Sequence, residues 1–335
     1  IDELVPRSKF SETVEKRALE ISEKSTRPLG EKGIELTDLF KELDKDSITY
    51  ENISISLDRQ SGIVYLTIKG PSEDLPMDPE SIATLGDKYW PLALARDLDD
   101  AIIHLSFNEL ELGTWVFRSV GDIDSVADVD DILIKHKDHW LINEIIQYLK
   151  RVLKRLDLAS RSLVTLVEPG SCFAGTLLEL VFAADRSYML DGIFQDSSEL
   201  PAVLRTTEMN FGELPMCNDL TRLQTRFLNQ PEEVKNIYEH SGKDFSAAEA
   251  FESGMVTFIP DDIDWEEEVR IAIEERTSFS PDALTGMEAS LRFAGPETLE
   301  TKIFGRLSAW QNWIFQRPNA AGENGALKLY GTGTV

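Results

Sequence analysis

Cysteine is nearly absent from this chain: Cys172 and Cys217 stand alone in 335 residues. Two thiols allow one disulfide at most, which excludes the disulfide framework of a small secreted domain. Long apolar runs are missing too. The longest, at 162–167 and 177–184, fall far short of the roughly 20 residues that a membrane-spanning helix needs. No basic segment followed by an apolar stretch is visible at the start, so a soluble cytoplasmic protein is the expectation. Histidine is scarce at four residues, and no glycine-rich phosphate loop or dinucleotide fingerprint occurs. Basic charge is short as well. Against 60 acidic residues stand 34 basic ones, a net charge of −26. Such a field repels polyanions, which disfavours nucleic acid and anionic membrane surfaces as partners. Any phosphate-bearing ligand would need a site that is locally basic on an acidic body. The acid excess itself reads as a solubility feature.

What is present is enough apolar material for a sizeable core, at 42% of residues. Strand and helix patterns alternate along most of the chain. Residues 47–57 alternate in polarity, 59–62 (Arg-Gln-Ser-Gly) form a turn, and 63–68 return as a second strand. A helix is expected over 90–98, a buried strand over 101–106 (Ala-Ile-Ile-His-Leu-Ser) and another strand over 112–119. From 131 to 158 runs one long helical pattern, with Ile142, Ile145, Ile146, Leu149, Val152, Leu153 and Leu156 near helical period. A short β-branched run at 163–167 leads through Pro169-Gly170 into a helix over 177–185. This order implies an α/β fold with a largely parallel core.

One internal echo bears on the ends. Ile-Asp-Glu-Leu-Val-Pro at 1–6 and Val-Thr-Phe-Ile-Pro at 256–260 each read as a short strand ending in proline. Each is followed by an amphipathic helix, and the two segments close at Pro28 and Pro281. The offset of about 254 residues (260 − 6) is roughly one domain length. The expected organisation is therefore the tail of a preceding domain of the same kind at 1–28 and a polar linker at 29–46. A core at 47–281 follows, with a helical region and tail at 282–335.

The chemistry is expected where the 163–167 strand meets the next helix. Backbone N–H groups at a helix start have no intrahelical partner, and the macrodipole there favours negative charge. A thioester carbonyl placed at that point would have its developing oxyanion stabilised. Glu179 follows within the helix, flanked by Leu177, Leu178, Leu180 and Val181, and Asp185 lies six residues beyond it. Farther on come Thr-Glu-Met-Asn-Phe-Gly-Glu-Leu-Pro at 207–215 and Arg222-Leu223, then Ser246, Ala247, Ala250, Gly254 and Val256. These three segments, in this order, resemble the crotonase (enoyl-CoA hydratase/isomerase) superfamily.

The resemblance implies a crotonase-like ββα spiral core and a C-terminal helical region. It implies that Glu179 and Glu208 face each other across an acyl group, one as base and one as acid, as burial and mutual repulsion allow. Gly175 and Thr176 would supply oxyanion-stabilising amides. The bland alternatives are a solvent-facing helix residue for Glu179 and a loop carboxylate for Glu208. The likeness also departs from the pattern: Ala174-Gly175-Thr176 stands where three glycines are usual, and the glutamates lie 29 apart. The loop that brings a second oxyanion donor, sought after 101–106, lacks its usual Ala-Gly-Ala-Asp form.

Trp310, Trp313 and the ending at 317–333 are similar to one branch of the superfamily. That likeness implies hydrolytic opening of 2,3-epoxybenzoyl-CoA with release of formate, without a metal or redox cofactor, by a homo-oligomer. Two alternatives stand beside it: a plain enoyl-CoA hydratase or isomerase, and a non-catalytic crotonase-like module supporting an upstream catalytic domain. Other candidates are weaker. His104 reads as a hydrogen-bonded core residue, Cys172 as a small buried one, and Ser171 has no adjacent histidine. His136 and His139 have ligand-compatible spacing but no third ligand, so no metal site is expected.

Overall fold

Ile-Val-Tyr-Leu-Thr-Ile-Lys at Ile63–Lys69 has one face closed by core and one half open, and it divides two kinds of strand pairing. On one side of it the strands are antiparallel, β1 (Glu42–Leu43), β2 (Ser47–Thr49), β3 (Ile53–Asp58) and this strand, β4, and β2 and β3 alternate in exposure. On the other side β5 (Thr114–Val120), β6 (Ser162–Val167) and β7 (Arg186–Met189) continue the sheet in parallel. All six residues of β6 are buried, the continuous apolar run that a strand covered on both faces requires. The computed structural model describes residues 1–26, 33–71, 75–195, 197–295 and 297–332.

The parallel strands are joined by helices, as parallel pairing demands. Helices α2 (Pro79–Leu85) and α3 (Trp90–Asn108) lead from β4 to β5, and α4 (Ile123–Lys135) and α5 (Trp140–Asp157) from β5 to β6. The single helix α6 (Gly175–Ala183) connects β6 to β7 and is buried at every residue. Then come a short hairpin, β8 (Leu204–Arg205) with β9 (Asp244–Phe245), and helices α7 (Arg222–Arg226), α8 (Pro231–Glu239) and α9 (Ala247–Glu252). Helices α10 (Trp265–Thr277) and α11 (Pro281–Leu291) follow, and the described part ends in further helical turns from Thr301 to Leu329. Among the described residues no helix is long and apolar enough to cross a membrane.

Four expectations need correction. The strand expected at 101–106 is the last third of α3. Leu94, Ala95, Leu98, Ala101, Ile102 and Leu105 are all buried, a spacing of three and four that makes one helical stripe. Read alone, six apolar-rich residues cannot be told from a buried strand. The long helix expected at 131–158 is two helices, broken at His136–His139. Each has its own apolar face, Val126, Val129 and Leu133 on α4, and Ile142 to Leu156 on α5. The single strand expected over 47–57 is two, β2 and β3, which pair antiparallel across a turn at 50–52. Of the end echo, the helices α1 (Phe10–Ser22) and α10 are present; 1–6 belong to no strand among the described residues, and 256–260 give one bridge, Tyr188 to Phe258.

The chain divides into two compact units, Ile1–Glu35 and Leu36–Val335. The first contains α1, none of whose residues is buried. Residues 27–32, where the expected tail gives way to the linker, and 333–335 at the end lie outside the described residues.

Candidate functional site

The strand-to-helix turn after β6 forms where it was sought. Gly170 takes φ +79° in the turn, and Gly175 takes φ +40° as the first residue of α6. The amide of Thr176 is not open to a ligand. It donates to Asp130 Oδ2 at 2.7 Å, and the Thr176 hydroxyl donates to Asp130 Oδ1 at 2.6 Å. The Thr207 hydroxyl adds a third bond to the same carboxyl, at 2.9 Å. A Cβ built on Gly175 would overlap the Asp130 carboxyl and the Thr207 hydroxyl, so only glycine admits this approach. Asp130 comes from α4 and is 1% exposed. An internal carboxyl group thus occupies the helix start where the resemblance puts a thioester oxygen. Burial pushes its pKa up to about 7, against the three donors that favour ionisation.

The second expected donor follows β5, not 101–106, because β5 is the parallel neighbour of β6. There Gly121 (φ +147°) donates its N–H to Gly170 O at 3.1 Å, and Asp122 caps α4 through Ser125. That turn is tied into the fold as well.

Glu179 sits at the centre of α6 and is 1% exposed. Asn210 Nδ2 donates to its Oε1 at 2.7 Å, and Arg222 Nη1 donates to its Oε2 at 2.7 Å. The rest of the Arg222 fork bonds Asp157, Nε to Oδ1 at 3.1 Å and Nη2 to Oδ2 at 2.7 Å. All four groups are buried. Burial raises the Glu179 carboxyl above its usual range against the pull of Arg222. For Arg222, burial works against the charge, but the two carboxylates prevail and hold the guanidinium above its usual pKa. Such a cluster is closed upon itself. Arg222 bridges both carboxylates, and Asn210 completes the bonds of Glu179.

Glu208 opens a short 3₁₀ turn, Glu208–Phe211, capped by Thr207. It is exposed and lines a groove of about 640 Å³ with Phe211, Leu220, Phe227 and Tyr238. The Tyr238 hydroxyl bonds to Glu208, which raises the tyrosine's pKa. Glu179 is thus held inside an ion-pair cluster, whereas Glu208, two residues before the asparagine of that cluster, is exposed at an open groove.

The remaining candidates resolve simply. Asp185 accepts the Leu163 N–H at 2.7 Å and meets Arg292 at 3.3 Å, and its pKa is pushed up to about 7 by burial. Cys172 is buried, with its thiol raised to about 11 by burial, and Cys217 is exposed. His104, half-buried on α3, is bonded to Lys41 and Asn108 and is lowered by burial. No group of three metal-ligating side chains occurs among the described residues. The residues that sequence reasoning misses are Asp130, Asp157 and Asn210. For Asp130 a signal exists: it falls on the same helical stripe as Val126, Val129 and Leu133, where a carboxyl must be buried.

No family model matches the chain. It is 49% identical over 333 residues, 99% of its length, to benzoyl-CoA-dihydrodiol lyase of Aromatoleum evansii. The chain spans only 59% of that protein. Among solved structures, an enoyl-CoA hydratase of Geobacillus kaustophilus matches at TM-score 0.54 and 13% identity, covering 84% of this chain and 93% of that one. AtuE of Pseudomonas aeruginosa matches at TM-score 0.56 and 15% identity, covering 84% and 97%. An enoyl-CoA hydratase of Bacillus anthracis matches at TM-score 0.54 and 15% identity, covering 80% and 93%. At such identities the structures establish the fold, and the closer relation rests on the lyase. The chain is a crotonase-fold relative of part of benzoyl-CoA-dihydrodiol lyase.

Proposed function

We propose that this chain is a supporting module of a longer crotonase-family lyase whose substrate is an aryl-CoA or acyl-CoA thioester. The reaction itself would proceed outside the α6 cradle of this module. The relative's name points to a benzoyl-CoA derivative, and the residue likeness points to water-dependent opening of an epoxidised ring with loss of formate. Neither a metal nor a redox cofactor is part of this proposal.

One observation carries the reading. The Thr176 amide, which would polarise a thioester carbonyl, is spent on Asp130 at 2.7 Å. Losing a single oxyanion donor costs other enzymes about 2.7–4 kcal/mol of transition-state stabilisation. Glu179 adds to this, because each of its carboxylate oxygens already accepts a bond, from Asn210 and from Arg222.

The experiment compares this chain with the longer protein that contains it, each assayed with 2,3-epoxybenzoyl-CoA and a panel of enoyl-CoAs. The chain alone should show no turnover above background. In the longer protein, Glu208→Gln should keep the rate within about twofold, since an acid–base group in use would cost roughly 10²–10⁴-fold. Turnover by the isolated chain, or a hundredfold loss in a folded Glu208→Gln variant, would overturn the proposal.

A further inference from the structure

At the far end of α6 from the Asp130 contact lies a cavity of about 340 Å³, walled by the close of α6, by α7, by Arg276 of α10 and by α11. Its volume equals roughly ten waters of liquid. Four arginines line it, and they fall into two classes. Arg222 is matched by Asp157 and Glu179, and Arg292 by Asp185 and Glu288. Arg226 and Arg276 have no carboxylate within ion-pair distance among the described residues. Arg226 spends only Nε, which donates to Gly254 O at 2.6 Å, and its two terminal nitrogens meet no protein acceptor among those residues. Arg276 has only a 4.0 Å contact from Nη1 to the Met287 sulfur.

That pairing pattern is unusual for this molecule. With 60 acidic residues to draw on, most guanidiniums meet an acid; Arg161, buried and bonded to Thr285, is another that does not among the described residues. Burying such a charge is costly until an anion arrives to match it, and burial already lowers the Arg226 pKa. The wall of the same cavity also has apolar, adaptable side chains, Met216, Met287 and Leu291. The opposing charge in the wall sets a limit. Asp157, Asp185 and Glu288 also line the space, so a dianion would meet more repulsion than a monoanion.

We propose that this cavity binds a compact organic monocarboxylate. Its carboxylate would engage the forks of Arg226 and Arg276, and its apolar body of a few carbons would lie against the methionines and Leu291. Planar bidentate recognition of a carboxylate is what the guanidinium fork does best. The site goes beyond the supporting role proposed above and stands without it, since no CoA-bearing substrate is needed to fill it.

The test is titration calorimetry on the full chain with benzoate, hexanoate and inorganic phosphate as probes. The two carboxylates should bind one to one, saturating in roughly the millimolar range or below, and phosphate should bind at least about tenfold more weakly. Arg276→Gln and Arg226→Gln should each weaken the carboxylates by at least about tenfold. Arg226 also holds the Gly254 carbonyl, so if its variant does not fold, Arg276→Gln decides alone. Absence of saturable carboxylate binding, or affinity unchanged in folded Arg276→Gln, would overturn the proposal. Phosphate binding as tightly as benzoate would overturn the assignment to a carboxylate.

Discussion

Replacing Asp130 by Asn tests the closed helix start directly, because the carboxyl's titration is tied to its burial there. In the fold its pKa stands at about 7, against an ordinary value of 3.8. The gap is roughly three pH units at about 1.4 kcal/mol each, hence about 4 kcal/mol. The sign follows from which state keeps the proton. Between pH 4 and 7 the folded protein holds it and the unfolded chain does not. The contribution is therefore fully present below about pH 4 and is lost as pH rises to about 7. Other buried carboxyls titrate too, among them Asp185, so the wild-type profile alone is a sum. The difference between wild type and Asp130→Asn isolates the one group. Urea unfolding at several pH values should show the wild type losing about 4 kcal/mol relative to the variant between pH 4 and 7.5. A flat difference would mean that the carboxyl is not desolvated as the structure has it. A difference of opposite slope would mean that the Thr176 and Thr207 donors keep it ionised, making this helix start a working anion hole with an internal occupant.

Three further outcomes are expected. Gly175→Ala should destabilise by about 3 kcal/mol or more in thermal or urea unfolding, since the new methyl meets Asp130 and Thr207 at a φ of +40°. Arg222→Met should cost about 3–5 kcal/mol by urea unfolding, because it leaves Glu179 and Asp157 buried without their cation. Glu208→Gln should change stability by less than about 0.5 kcal/mol, as its carboxylate is exposed at the mouth of a groove, and circular dichroism melts would show it.

Part of this fold is legible in the sequence. The β-branched run at 163–167 and the three-and-four spacing of α5 each specify an element locally, because hydrophobic period depends only on neighbours in the chain; the alternation at 47–57 marks strand but hides the turn that folds it into β2 and β3. The order of these elements implies a parallel core, and β4 to β7 form it. Ala101–Ser106 misleads because a short buried segment has no period of its own; only its packing as the end of α3 decides the matter. The positions of Gly175, Thr176, Glu179 and Glu208 are also readable, but their surroundings are not. Asp130 reaches Thr176 across 46 residues, and Arg222 reaches Glu179 across 43. Local patterning carries no record of such contacts, because they arise when α4 and α7 close against α6. The sequence by itself determined which residues enter the core and which turn opens α6. Only the tertiary structure decided that this turn is filled by a carboxyl of its own chain, and that the buried glutamate is matched by an arginine and an asparagine.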